Sequence, residues 1–335
     1  MNKAPIKNAD LLFPKLGHDL SSLSLQKKLF CGVLLGVFVT TAFTLGHDLF
    51  KLANLIRSFR WEVLPLCIVA ISIAFLGRFV KWQMYLRILG LSIAIKDSAR
   101  IFFSGLSMTV TPGKTGEVLK AYLLKRQYNV SFSLSAPTIV AERLSGLSGA
   151  VLLAILASYV TDFYIPYADN LIKIGLTIII LVVITLTCRR ATLKIFKYTQ
   201  KVSFLENKAN LLINMYNSAC ALNYGKVFLY CIVISAISWL AECTVLAVVL
   251  YGLGVEVPFF LVMFIYTLSS IAGGLSMLPG GLGIAEISMV GLLSLIGLDN
   301  NTAIVTTLFV RFITLWLGVG LGAVTFFNNR SVFNL

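Results

Sequence analysis

Residues 105–124 read GLSMTVTPGKTGEVLKAYLL, and residues 273–293 read GGLSMLPGGLGIAEISMVGLL. Both stretches contain Pro-Gly-x-x-Gly, as Pro112, Gly113 and Gly116 in the first and Pro279, Gly280 and Gly283 in the second, where Gly281 adds a further glycine. Both continue into an acid, Glu117 or Glu286. Each is followed by an apolar segment with an arginine inside it, ERLSGLSGAVLLA at 142–154 and VRFITLWLGVGLGA at 310–323. Arg143 follows Pro112 at almost the same interval as Arg311 follows Pro279. A Pro-Gly pair recurs by chance; a matched loop, acid and arginine does not. The chain carries an internal repeat.

The repeat is set in an apolar chain. Of its 335 residues 58% are hydrophobic and 13% are charged, with a mean hydropathy of +0.89. A soluble domain carries about 25% charged residues. The apolar residues fall into runs long enough to cross a bilayer, which takes about 20 residues of helix. The runs predict six spanning helices, near 29–46, 61–79, 134–158, 171–188, 227–251 and 302–327. Two more apolar regions, 98–124 and 258–297, are each broken by a Pro-Gly motif and predict re-entrant helical hairpins. The expected architecture is an all-α polytopic membrane protein, a basic segment 1–28 followed by a single membrane domain 29–335. The segment before residue 29 is too long, and 41–45 too poor in small residues, for a cleaved signal peptide.

Charge sets the sidedness. Lys and Arg number five in 1–28, eight in 81–133 and seven in 189–226, against three in 47–60 and none in 253–300. By the positive-inside rule both termini and 189–226 are cytoplasmic, in a bacterial or archaeal inner membrane. The segment 189–226 is basic and amphipathic, and reads either as a helix lying on the anionic inner leaflet or as a solvated linker. Three crossings separate the two Pro-Gly motifs, so the copies are inverted, the first loop entering from the cytoplasm and the second from outside. Inverted repeats with broken helices meeting near the midplane build many secondary transporters. The plainer reading is an old duplication that survives as packing.

Pro and Gly have a physical reason to stand at those points. Proline ends the incoming half-helix, and glycine allows turn dihedrals and close approach. The chain restarts as a helix whose first N–H groups are free to receive an anion. A charge near the bilayer centre costs about 2.5–3.5 kcal/mol on insertion scales. Arg143, Arg311, Glu142 and Glu242 therefore need partners or a wet cavity. Arg143 shares a helix face with Gly146, Ala150 and Ala154, and Arg311 shares one with Thr314, Gly318 and Gly322, which predicts close packing inside the bundle. Glu242 continues a stripe with Ser235 and Ser238. Each arginine either grips a substrate phosphate bidentately or pairs with Glu117, Glu242 or Glu286. Lys114 and Lys120 are candidate ligands of the anionic head group; the plainer readings are a surface pair of Lys120 with Glu117, three residues before it, and a snorkelling Lys114.

Other chemistries fail on spacing. Gly113-Lys114-Thr115 resembles the end of a phosphate loop, but the glycine required five residues earlier is Met108. Gly318, Gly320 and Gly322 follow no strand. The six cysteines, Cys31, Cys67, Cys188, Cys220, Cys231 and Cys243, have no ligand spacing, and His18 and His47 are the only histidines. No metal, cofactor or catalytic constellation is expected. The charge of +14 is explained by topology, and nucleic acid is not an expected partner.

Thr111–Leu124, Glu142-Arg143-Leu144, Leu278–Glu286 and Arg311 together resemble the lysylphosphatidylglycerol synthase transmembrane-region family, over nearly the whole chain and including the basic 78–87 stretch. The resemblance implies a flippase-like domain that moves aminoacylated phospholipids or polyprenyl-linked glycans across the membrane. It maps the family's loops to Pro112, Gly113, Gly116, Glu117, Pro279, Gly280, Gly281, Gly283 and Glu286, and its buried arginines to Arg143 and Arg311. The sequence ends at Leu335 without a soluble transferase domain, so lysyl-lipid synthesis by this chain alone is not expected. The alternative is a non-transporting membrane partner of a glycosyltransferase or lipid-modifying enzyme. A membrane-embedded transferase acting on a lipid phosphate is a weaker third.

Overall fold

A 3₁₀ turn at Trp61–Val63 leads into the first long helix, Leu64–Ile88, which holds Pro65 in its first turn where the missing N–H costs nothing. The computed structural model describes residues 30–36, 38, 41, 49–111, 115–161, 168–187, 216–220, 222, 225–330 and 332–333. Pro112, Gly113 and Lys114, the segment 1–28 and nearly all of 189–226 lie outside the described residues. So does half of the 29–46 span, of which residues 30–36, 38 and 41 are helical.

The regular elements among the described residues are all helical. The longer ones, in chain order, are α1 (Leu49–Ser58), α2 (Leu64–Ile88), α3 (Ile95–Leu106), α4 (Thr115–Tyr128), α5 (Pro137–Val160) and α6 (Ala168–Thr187). Then come α7 (Gly225–Gly252), α8 (Phe259–Leu275), α9 (Ile284–Leu295), α10 (Asn300–Arg311) and α11 (Leu317–Asn328). Among the described residues, four helical stretches are long and apolar enough to cross a membrane: Trp61–Ile88, Pro137–Val160, Lys226–Gly252 and Asn300–Asn328. The protein is a multi-pass membrane protein. Two expectations need adjusting. The 47–60 loop contains α1, which buries Leu52 against Ile304 and Val305 of α10. The second span runs on to Ile88, well past its expected end at residue 79, and takes Lys81, Trp82 and Tyr85 into the bundle.

The two repeat copies each form a helix pair followed by a long helix, and they pack reciprocally. In the first, α3 pairs with α4 and leads to α5; in the second, α8 pairs with α9 and leads to α10 and α11. The long helix of the first copy packs on α8 of the second, and α11 of the second packs on α3 of the first. Small residues make the second contact possible. A Cβ on Gly322 would stand 2.3 Å from the Ser107 nitrogen, and one on Gly318 would stand 2.9 Å from the Phe75 ring. The small-residue stripe read from the sequence is a packing seam.

The segment that enters the first Pro-Gly motif touches the second loop. Val110, the last apolar residue before the first Pro-Gly, is buried in one cluster with Leu282, Leu315 and Val319. A Cβ on Gly280 would lie 3.3 Å from Val110 Cγ1. Gly280 takes φ +58° and Gly283 φ +87°, dihedrals open to glycine at little cost. Between α10 and α11 the last span passes through a five-residue π turn, Phe312–Trp316, directly after Arg311. Such turns concentrate at functional positions.

The two ends of the bundle collect different segments. Phe59 stacks on Phe309 at 4.6 Å, the Arg60 N–H donates to the Gly252 carbonyl, and α1 covers α10. At the other end Leu91, Val130 and Leu134 cluster with Phe326 and Phe333. Segments of the lysine-poor loops thus share one end, and segments of 81–133 and the C-terminus share the other.

Candidate functional site

Three polar clusters lie within the copies or where one copy packs against α2 and α7. The first closes the second Pro-Gly loop. Glu286, in the first turn of α9, accepts at 2.7 Å from the Gly283 N–H through Oε2 and at 2.5 Å from Arg311 Nε through Oε1. Arg311 Nη2 also donates to the Gly280 carbonyl at 2.7 Å. One carboxylate thus caps the helix start and neutralises the arginine, which in turn holds the loop. Glu286 is 4% exposed at its side chain and Arg311 15%. The free helix terminus expected there is occupied by the chain's own acid.

The second cluster joins α2, α7 and α8. Arg78 forms an ion pair with Glu242, whose other carboxylate oxygen accepts from the Tyr266 hydroxyl at 2.7 Å. The Arg78 guanidinium lies 6.0 Å from the centres of the Phe75 and Trp239 rings. The Ser235, Ser238 and Glu242 stripe is buried as read, but its partner is Arg78 rather than Arg143 or Arg311.

The third cluster joins α2, α4, α5 and α7. Lys120 donates to Glu142 at 2.6 Å, with its ammonium 4.8 Å from the centre of the Trp82 ring and 5.4 Å from that of Phe102. Next to Trp82, Lys81 is 3% exposed and donates to Ser235 Oγ at 2.6 Å and Ser145 Oγ at 3.3 Å. The Tyr85 hydroxyl reaches Ser145 Oγ at 3.0 Å and the Ala141 carbonyl at 3.2 Å. Close approach of the helices makes this possible, since a Cβ on Gly149 would stand 2.8 Å from Ser235 Cβ.

Several expectations are corrected here. Arg143 is exposed on α5, on the side that also exposes Val140, so its neighbour Glu142 is the charge that turns inward. Successive helical residues point about 100° apart, and the small residues near Arg143 serve other contacts. Ala150 and Ala154 are in the core, and the Gly146 carbonyl accepts from Trp239 Nε1 at 2.8 Å. Glu142 is half-buried, its side chain 17% exposed, because it lines the edge of its cluster. Lys120 is 5% exposed and bonded across to α5, not a surface partner of Glu117. Gly116 and Glu117 lie in the first turn of α4. Sequence reading passes over Lys81 and Arg78 as functional positions. The signal is present in their spacing: with Trp82 and Tyr85 they extend an apolar helix at i, i+3, i+4 and i+7.

Residues 29–322 match the model of the family described as Lysylphosphatidylglycerol synthase TM region. The chain belongs to that family. Within it, the chain is similar to proteins named UPF0104 membrane protein. One from Methanothermobacter thermautotrophicus is 40% identical over 92 residues, 28% of either chain. One from Pyrococcus horikoshii is 24% identical over 295 residues, 80% of this chain and 87% of the relative. One from Methanocaldococcus jannaschii is 25% identical over 226 residues, 65% of this chain and 92% of the relative. The matched family region takes in both Pro-Gly motifs and all three polar clusters.

Proposed function

We propose that the protein binds an anionic lipid or lipid-linked substrate and carries its head group across the membrane between the two helix pairs. On this reading it works without covalent chemistry in a cytoplasmic membrane, with both termini inside. The substrate class suggested by the family name is an aminoacyl-phospholipid; a polyprenyl-phosphate glycan has the same anionic head and apolar tail. The observation that carries the reading is the approach of Val110, just before the first Pro-Gly motif, to Gly280 of the second, between copies whose long helices pack reciprocally. Inverted hairpins that meet this way place both broken helices at one depth, so a small rocking of one copy on the other opens that depth to either side.

On this reading Pro279, Gly280, Gly281, Gly283 and Glu286 wall the passage with Arg311 beside them, and the sequence-matched positions Pro112, Gly113, Lys114, Gly116 and Glu117 are assigned to its other wall, while the outward-facing Arg143 has no part in it. At rest Glu286 holds Arg311 and the Gly283 N–H. An incoming phosphate competes for the same donors, and its non-bridging oxygens accept from guanidinium and backbone together. The test is reconstitution in vesicles with a fluorescent phosphatidylglycerol, following access of a membrane-impermeant quencher. The protein should speed exposure of the label, and Gly280→Val should slow it at equal protein content. Vesicles with and without protein showing equal rates would sink the proposal.

A further inference from the structure

We infer that the junction of α2, α4, α5 and α7 is a phosphate-binding site in which Lys81 and Lys120 are the cationic ligands and Glu142 is a displaceable occupant. The inference starts from a comparison of charge balance among the three clusters. Arg311 and Glu286 neutralise each other, as do Arg78 and Glu242. At the third junction two ammonium groups face one carboxylate. Lys120 takes Glu142, and among the described residues Lys81 makes no ion pair, its bonded partners being the hydroxyls of Ser235 and Ser145. Ser145 lies one helical turn from Glu142, which keeps Lys81 within reach of that carboxylate's field without contact.

Burying a cation without a counter-ion costs several kcal/mol, even after relaxation. A helix bundle does not need this one for packing, because a leucine or methionine would fill the same space. An ammonium donates three hydrogen bonds and Lys81 has two, which leaves one N–H and one positive charge uncommitted. The Trp82 and Phe102 rings against Lys120 stabilise its ammonium within the wall while keeping it dry. Access is through Glu142, whose side chain is 17% exposed against 7% for Lys120. A phosphate group entering there takes the carboxylate's place on Lys120 and gives Lys81 its missing acceptor. The seryl hydroxyls turn to hold it, since each is both donor and acceptor.

The reading of the protein as a carrier of anionic lipids supplies the ligand, and to that extent the site rests on it; the charge imbalance stands by itself. The phosphate can arrive on a lipid or free in solution. The probes are dihexanoyl phosphatidic acid and inorganic phosphate, titrated by calorimetry into the full chain in detergent, with dihexanoylglycerol as the uncharged control. Wild type should bind phosphatidic acid and not the diacylglycerol. Lys81→Met should weaken binding about tenfold or more, through loss of a charged hydrogen bond in a dry setting. The unliganded thermal midpoint should hold or rise, because an unpaired buried cation has been removed. Glu142→Gln should tighten binding several-fold by removing the competitor, an effect that a purely structural Lys120–Glu142 pair does not produce. Inorganic phosphate showing the same pattern assigns the site to free phosphate; phosphatidic acid alone showing it assigns the site to lipid. Lys81→Met binding like wild type, or Glu142→Gln binding no better, overturns the site, and the second variant decides by itself if the first does not fold. Binding with this pattern but no translocation in vesicles removes the carrier reading and leaves the site. Translocation undiminished in Lys81→Met removes the site and leaves the carrier.

Discussion

The second Pro-Gly loop and the Lys81–Lys120 junction hold corresponding parts of one repeat, yet they treat charge in opposite ways. In the loop every charged group has its complement: Glu286 answers both Arg311 and the open start of α9, and Arg311 spends a second donor on the Gly280 carbonyl. At the junction the arginine in the matching place, Arg143, faces outward. The inner cations are two lysines that share a single carboxylate. Backbone architecture has been kept between the copies while charge pairing has not. A satisfied cluster fixes a loop, and an unsatisfied one waits for a ligand.

The largest expected effect tests the satisfied side. Arg311→Met leaves Glu286 buried and unpaired and the Gly280 carbonyl without its donor, and should cost about 3–5 kcal/mol. Adding Glu286→Gln should recover most of that in thermal unfolding measured in detergent. A double variant no better than the single one breaks the view of the pair as a structural unit. Arg78→Met should cost less, about 1–3 kcal/mol, because Tyr266 still donates to Glu242 and Arg78 itself is partly exposed. A loss equal to that of Arg311 would erase the distinction between the two neutral pairs.

Glycines sharpen the contrast between loop and helix. Gly280→Val forces a branched side chain to φ +58° against Val110, and should lower stability by about 1–3 kcal/mol. Gly146→Ala in α5 adds a methyl where nothing lies within 4 Å, and should raise stability by up to about 1 kcal/mol. The same assay reads both, and the signs should differ. The smallest effect sits at the start of α10, where the Asp299 carboxylate accepts from the Thr302 N–H at 3.1 Å. Hydrogen bonding to Thr302, through its side chain first and its backbone N–H after that, lowers the Asp299 carboxyl below its usual value. Its contribution is therefore full above the ordinary aspartate range and fades as pH falls through the lowered value. Asp299→Ala should cost about 0.5–1 kcal/mol at neutral pH and nothing once the carboxyl is protonated in strong acid. A constant difference across that range would assign the loss to something other than the carboxylate.

How much of this is legible in the sequence follows from what each feature depends on. The helix pairs, the second loop's glycines and the Gly318/Gly322 seam depend on local periodicity and spacing, which a sequence displays directly. The stripe of Ser235, Ser238 and Glu242 is readable on one helix for the same reason. Which cation faces Glu242 depends on α2 lying beside α7, and no spacing within either helix contains that. Lys81 reads as a loop charge because hydropathy falls at residue 81; tertiary packing extends the helix past that point. The inward turn of Glu142 in place of Arg143 rests on a rotation of one residue, finer than a pattern of small neighbours resolves. The amphipathic α1 escapes notice because its few turns, beside an expected loop, give too short a period.

The reciprocal packing of the copies also bears on how the chain is made. The face of α3 that α11 covers is complete at Leu106, whereas its cover begins only at Leu317; α5 likewise ends at Val160 and waits for α8 to begin at Phe259. Neither half closes on itself, so the ribosome must deliver nearly the entire sequence before α3 meets α11. During that interval Lys120 and Glu142 have each other, and Arg78 gains Glu242 once α7 emerges. The Arg311–Glu286 lock is the last to form, and both of its partners lie within the single stretch 286–311. The late-born half therefore sets its own loop before docking, and assembly ends when α11 settles along α3.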